Sequence, residues 1–137
     1  MKDLNSLYEY QGVQTGSKTY EVLLVDDEEI LRRLLRGIIG LREDIRLTTC
    51  ESGTEAVAAM AARSAPFDLI ITDLMMPEMN GQQLLEHVKR TAPDLPVVAF
   101  SGSLHDLPND DCFDAVLGKP FSLAEVHQIL ARFCPLP

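Results

Sequence analysis

The sequence predicts an α/β fold, a doubly wound parallel sheet with helices on both faces. Five short apolar or β-branched segments alternate with segments whose apolar residues recur at helical spacing. Such alternation is typical of a parallel sheet covered on both sides. The chain has 137 residues, 46% of them hydrophobic, which suits one domain rather than two.

The strand predictions rest on short apolar runs bounded by polar residues. Tyr20–Val25 (YEVLLV) stops at acidic residues, as expected of a strand buried on both faces. Ile45–Cys50 (IRLTTC) alternates and is rich in β-branched residues, which indicates an outer strand. The other strands are predicted at Phe67–Thr72, Pro96–Phe100 and Ala115–Leu117.

The helix predictions rest on apolar residues three and four positions apart. The first helix is predicted from Ile30 to Ile39, and Gly40 marks its end. The last helix, Ser122–Phe133, begins at a capping box formed by Ser122 and Glu125. Two more helices are predicted at Thr54–Arg63 and Gln82–Arg90.

These elements predict one domain at residues 20–134, in which five parallel strands have the flavodoxin-like order 2-1-3-4-5. Residues 1–19 are polar and show no sustained periodicity, so we expect a flexible extension or linker there. Residues 135–137 form a short C-terminal tail.

Charge and cysteine content exclude several classes of function. Twelve basic and twenty-one acidic residues give a net charge of −9, which argues against direct nucleic-acid binding. No apolar run is long enough to insert into a membrane. Cys50, Cys112 and Cys134 are odd in number and widely spaced, so we expect a reducing, cytoplasmic location.

Polar side chains follow four of the predicted strands at their carboxyl ends. Asp26 and Asp27 follow the first strand, Asp73 ends the third, Ser101 follows the fourth and Lys119 the fifth. The first and third strands are neighbours in the predicted order, about 4.8 Å apart, so the three carboxylates are expected to share one pocket. Their mutual repulsion favours a hard divalent cation with oxygen ligands, for which Mg²⁺ is the candidate. Lys119 and the Ser101 hydroxyl could then contact phosphoryl oxygens.

Four sequence blocks resemble the signature motifs of response-regulator receiver domains of two-component systems. They are VDDEE at 25–29, TDLMMPEMNG at 72–81, VVAFSG at 97–102 and GKPF at 118–121. The resemblance implies that Asp73 is the phosphoacceptor for a histidine kinase or phosphotransfer protein. It further implies that Ser101 is the switch hydroxyl, that Lys119 contacts the phosphoryl group, and that the Lys119–Pro120 bond is cis.

The same resemblance implies a set of metal ligands. Asp27 and Asp73 would bind Mg²⁺ directly, Asp26 would act through a water molecule, and the backbone carbonyl of Met75 would complete the protein ligands. Mn²⁺ is expected to be able to substitute for Mg²⁺. The resemblance leaves open whether the receiver forms a homodimer or is part of a larger hybrid kinase.

Two positions depart from the family pattern. Val116 stands where receivers usually carry an aromatic switch residue. The segment at residues 103–112 is several residues shorter than the fourth helix of typical receivers, so we expect that helix to be short or irregular. One alternative is therefore a pseudo-receiver, a phosphorylation-independent interaction module. Another is a haloacid-dehalogenase-type phosphatase, which needs a second acid two residues after its first aspartate. Counted from Asp26, that position is Glu28, and the nucleophile-like Asp73 belongs to the third strand, which argues against this class.

Overall fold

The computed structural model describes residues 18–102 and 112–137. Within these ranges, five parallel strands form one sheet in the predicted order β2-β1-β3-β4-β5. The strands are β1 (Tyr20–Val25), β2 (Ile45–Cys50), β3 (Leu69–Asp73), β4 (Val97–Ser101) and β5 (Ala115–Gly118). The helices of the described ranges are α1 (Glu29–Ile39), α2 (Gly53–Ala61), α3 (Gly81–Thr91) and α4 (Leu123–Phe133).

The sheet divides the core into two layers, because successive side chains of a strand point to opposite faces. Leu23 and Val25 of β1 pack with residues of α2 and α3, which we call the α2/α3 layer. Val22 and Leu24 pack with residues of α1 and α4, the α1/α4 layer. All four side chains are fully buried, as predicted for a strand covered on both faces.

The third strand differs slightly from the prediction. It was expected at Phe67–Thr72, but regular pairing runs over Leu69–Asp73. Asp68 still bonds to β1 through both its backbone and its side chain: its N–H donates to the Glu21 carbonyl at 2.7 Å, and its carboxylate accepts the Glu21 N–H at 2.8 Å. The carboxylate takes the place of the backbone carbonyl that would accept this N–H in a regular ladder. At the other end, β3 continues to Asp73, which is therefore held by the sheet.

Capping boxes fix where two of the described helices begin. Ser122 and Glu125 form the predicted capping box at α4. Asn80 and Gln83 form a second one at α3, directly after the loop that leaves β3. These bonds satisfy N–H groups that the first turn of a helix leaves unpaired.

The helix expected at residues 103–112, between the fourth and fifth strands, lies outside the described residues apart from residue 112. The extension expected at residues 1–19 likewise lies outside them, apart from residues 18 and 19. Among the helices that the structure does describe, none has the length and hydrophobicity needed for a bilayer span.

Candidate functional site

The three predicted carboxylates meet at the carboxyl edge of the sheet. Val25 of β1 pairs with Thr72 of β3, so the two strands end side by side. One oxygen each from Asp26, Asp27 and Asp73 can lie within 4.8 Å of the others. We call this group the acidic cluster; Asp26 and Asp73 are buried in it, and Asp27 is exposed.

Hydrogen bonds fix the position of Asp26, but they use only one of its two carboxylate oxygens. Its Oδ1 accepts the Glu28 N–H at 2.8 Å, and its N–H donates to the Cys50 carbonyl at 3.0 Å. Its Oδ2 is buried and has no hydrogen-bond partner among the described residues. Burial is the main reason that the pKa of Asp26 rises to about 6, and the charge of Asp73 adds to the rise.

Asp73 faces both a cation and a backbone donor. Its Oδ1 lies 3.4 Å from the Lys119 Nζ and accepts the Met75 N–H at 3.3 Å. Burial raises the pKa of Asp73, while Lys119 opposes that rise. The Asp73 carboxylate is therefore desolvated and has a positively charged neighbour, an arrangement suited to reaction with an electrophile.

A tight loop fixes the backbone of Asp73. The Gly81 N–H donates to the Leu74 carbonyl at 3.0 Å, which closes the loop between β3 and α3. A Cβ atom added at Gly81 would lie 2.5 Å from the Asp73 carbonyl oxygen and 2.9 Å from the Leu74 Cα. Thr72 also donates its hydroxyl to the Asp73 carbonyl at 2.9 Å. Only glycine fits at position 81 while Asp73 keeps this position.

Ser101 and Lys119 reach the same edge from β4 and β5. Ser101 ends β4 and is buried, and its carbonyl accepts the Lys119 N–H at 2.8 Å. The Lys119–Pro120 bond is cis, as expected. The structure thus brings the predicted Asp26, Asp27, Asp73 and Lys119 together, with Ser101 beside them.

Met75 and Val116 differ in their placement. Met75 follows the acidic cluster with its side chain 65% exposed, so its contact with the site is through the backbone N–H. Val116 is half-buried and packs against the α2/α3 layer. Val116 therefore lies on the sheet face that is continuous with α2 and α3, outside the acidic cluster.

The sequence reasoning missed one residue that supports the site. Arg32 of α1 donates from Nη1 to the Asp26 carbonyl at 2.8 Å, and its Nη2 lies 3.8 Å from Glu51. Three arginines occur within five positions of α1, so the sequence could not tell which one points inward.

The donor set of the acidic cluster fits a hard divalent cation. All three ligating groups are carboxylates, and one buried oxygen of Asp26 lacks a partner within the described chain. Nearby positive charge comes from Lys119, which leaves the cluster with an excess of negative charge. Oxygen-rich, anionic sites of this kind suit Mg²⁺ or Ca²⁺ rather than softer metals.

The chain is similar to known proteins over most of its length. A family model described as the response regulator receiver domain matches residues 22–131. Sensor kinase CckA of Brucella abortus (strain 2308) is 36% identical over 118 residues, which are 82% of this chain and 12% of that protein. Two-component response regulator ORR41 of Oryza sativa subsp. japonica is 34% identical over 124 residues, 85% of this chain and 95% of that protein. The chain thus spans about an eighth of the sensor kinase and nearly all of the plant regulator.

A solved structure shares the fold. The receiver domain of a sensor histidine kinase from Pseudomonas aeruginosa PAO1 has a TM-score of 0.74 at 22% identity, covering 84% of this chain and 97% of that domain. That structure is described as having a magnesium ion coordinated in its active-site cleft.

Proposed function

The chain belongs to the response-regulator receiver family, and we propose that Asp73 accepts a phosphoryl group from a histidine kinase or phosphotransfer protein. The observation that carries the proposal is the position of the Asp73 carboxylate, buried at the sheet edge between two acids and Lys119. A nucleophilic carboxylate needs a cation and a positive side chain beside it to meet an anionic phosphodonor.

The proposed reaction transfers the phosphoryl group between two side chains. An Asp73 carboxylate oxygen attacks phosphorus, an O–P bond forms, and the P–N bond of the donor phosphohistidine breaks. The departing imidazole nitrogen takes up a proton from solvent. Hydrolysis later removes the phosphoryl group from Asp73. Water attacks phosphorus, the O–P bond to Asp73 breaks, and inorganic phosphate leaves the free Asp73 carboxylate behind.

We assign the metal to Mg²⁺ and expect Mn²⁺ to substitute for it. Asp27 and Asp73 would bind it directly, Asp26 would act through a water molecule, and the Met75 carbonyl would supply a further oxygen. Bound Mg²⁺ would offset the charge of the phosphoryl oxygens. The unpartnered Oδ2 of Asp26 and the magnesium described in the Pseudomonas receiver support this assignment.

Lys119 and Ser101 would hold the transferred group. The Lys119 ammonium, 3.4 Å from Asp73, would bond to one phosphoryl oxygen, and the Ser101 hydroxyl would donate to another. Drawing these two groups toward a new anion would change the local conformation, which is the proposed switch. Val116, short and stiff at χ1, would take less part in it than an aromatic ring.

Exposed hydrophobic side chains offer a contact surface for the donor protein. Ile30 and Leu34 of α1 are 81% and 50% exposed, and Met75 is 65% exposed, close in sequence to the acidic cluster. Exposed apolar side chains on the elements that carry a site favour protein–protein contact there. The donor would be a histidine kinase in the cytoplasm, whether on another chain or, as in the sensor-kinase relatives, on the same one.

The test is phosphorylation by acetyl phosphate with Mg²⁺, followed by intact mass spectrometry. The wild-type chain should gain a phosphoryl adduct, and Asp73→Asn should not, because an amide is a far poorer nucleophile of nearly the same shape. Asp94→Asn, which changes an exposed acid after α3, is the matched control and should be labelled like the wild type.

Two results would contradict the proposal. An equal adduct on Asp73→Asn would place the acceptor elsewhere. A wild-type chain that binds Mg²⁺ but takes no phosphoryl group from acetyl phosphate or a phosphorylated kinase would instead be a pseudo-receiver.

A further inference from the structure

Lys119 makes a second contact that the proposed reaction does not use. Its ammonium lies 3.4 Å from the Asp73 carboxylate and 4.8 Å from the centre of the Phe100 ring. A cation within about 6 Å of a ring face is attracted by the electrons of the ring. The lysine therefore contacts both a carboxylate and an aromatic face, and its side chain is only 22% exposed.

The carboxylate alone does not fix this lysine. Charge-assisted N–H···O bonds are about 2.7–2.9 Å long, so a separation of 3.4 Å between Lys119 and Asp73 is loose. A lysine stem has four rotatable bonds and loses much entropy when it is held in one place. A second contact to the ammonium restricts that freedom.

The Phe100 ring is itself rigidly placed. Phe100 is fully buried in the α1/α4 layer, and in the sheet it pairs with Asp73 of β3 and with Leu117 of β5. The Phe121 ring meets it edge-to-face, with centroids 6.4 Å apart and planes at 89°. That geometry is favourable for aromatic pairs, so the ring presents a fixed face to the lysine.

We propose that Phe100 is a positioning residue, whose ring holds the Lys119 ammonium where it meets the phosphoryl group arriving at Asp73. This inference rests on the proposed function. It adds a residue of β4, next to Ser101, whose ring would bind neither the cation nor the phosphoryl group. The ring acts only through Lys119, on the α1/α4 side of the sheet, whereas Val116 lies on the other side.

The test compares Phe100→Leu with the wild type in two backgrounds. With Lys119 present, loss of the ring should lower the saturating rate of labelling by acetyl phosphate about tenfold, an effect between those of an exposed and a fully desolvated cation–π contact. The Mg²⁺ dissociation constant, measured from metal-dependent melting, should not change. In a Lys119→Ala background, Phe100→Leu should have no further effect on the rate, because the group it positions is gone.

Phe67→Leu is the matched control. Phe67 is also buried and also carries a cation over its ring, since the Arg63 guanidinium lies 4.4 Å from its centre. It precedes β3 at the opposite edge of the sheet, ~20 Å from Asp73 along an extended strand. Its loss should leave the labelling rate unchanged. If Phe100→Leu does not fold, Phe100→Met, which fills more of the space of the ring, should show the same loss of rate.

Three results would overturn the inference. Equal slowing with and without Lys119 would show that the ring serves only the fold, and an unchanged rate would show that it positions nothing. A weaker Mg²⁺ affinity that accounts for the slower rate would show that the Phe100 ring acts on the cation site rather than on Lys119. In all three cases the wild type is still labelled, so the proposed function stands; a wild type without any adduct would defeat both.

Discussion

Arg42 and Asp44 form a charge pair that ties the end of α1 to the end of α4. Arg42 donates to both oxygens of Asp44, at 2.7 and 2.6 Å, and also to the Cys134 carbonyl at 2.8 Å. The hydrogen bonds from Arg42 hold the pKa of Asp44 below its usual range. Bidentate pairs of this kind are stronger than ordinary surface ion pairs.

Asp44→Asn should destabilise the fold by about 1 kcal/mol at neutral pH. Because the pKa of Asp44 is lower in the folded protein than in the unfolded one, its contribution is present above the unfolded value and is lost as pH falls through the folded value. The difference measured by urea unfolding should therefore be larger at pH 7 than at pH 3. Glu43→Gln, at the exposed neighbouring acid, is the control. A difference of equal size at both pH values would refute the charge-based explanation.

At the scale of single residues, the sequence predicted the polar groups of the site but not the neighbouring side chains that hold them in place. Asp26, Asp27 and Asp73 were predicted because they follow strands whose ends must meet at one edge. The contacts of Arg32 and Phe100 depend on which way a side chain turns within an element. The spacing of apolar residues predicts which face of a helix or strand a side chain lies on, but not which group it contacts. These contacts are therefore visible only in the structure.

At the scale of elements, the predicted helices and strands are close to those observed, and the differences have local causes. The helix α1 was predicted from apolar residues at helical spacing, yet two of these residues, Ile30 and Leu34, are 81% and 50% exposed. Helical spacing identifies an apolar face but cannot say how much of it the sheet covers. The uncovered part is the surface that we assign to a donor protein.

Gly81→Ala should destabilise the fold by about 1–3 kcal/mol and slow phosphorylation, because a Cβ there would push the backbone of Asp73 and Leu74. Gly37→Ala is the opposite control. Gly37 lies within α1, where an added Cβ meets nothing within 4 Å, so alanine should stabilise the helix by about 0.5–1 kcal/mol. Urea unfolding measures the stability and acetyl phosphate labelling measures the rate. If both substitutions stabilise the protein, the loop before α3 is not as tight as the structure shows.

At the scale of the whole molecule, topology was the most predictable feature. Parallel strands with helical crossovers leave few arrangements, and the order β2-β1-β3-β4-β5 is one of them. That order alone brings β1 beside β3 and places Asp26 near Asp73. The cost of this arrangement is electrostatic, because folding brings the Asp73 carboxylate beside those of Asp26 and Asp27, which are distant from it in the sequence.

Mg²⁺ should therefore stabilise the entire fold, since it relieves a repulsion that only the folded state contains. At a hundred times the dissociation constant, the gain would be about 2.7 kcal/mol, seen as a higher melting temperature. Asp27→Ala should raise stability in metal-free buffer, because it removes one of the repelling charges, and should abolish the response to Mg²⁺. Asp94→Ala removes an exposed acid outside the acidic cluster and should respond like the wild type. Thermal melts with EDTA and with a series of Mg²⁺ concentrations measure both effects. An undiminished Mg²⁺ response in Asp27→Ala would mean that the cation binds elsewhere on this acidic protein.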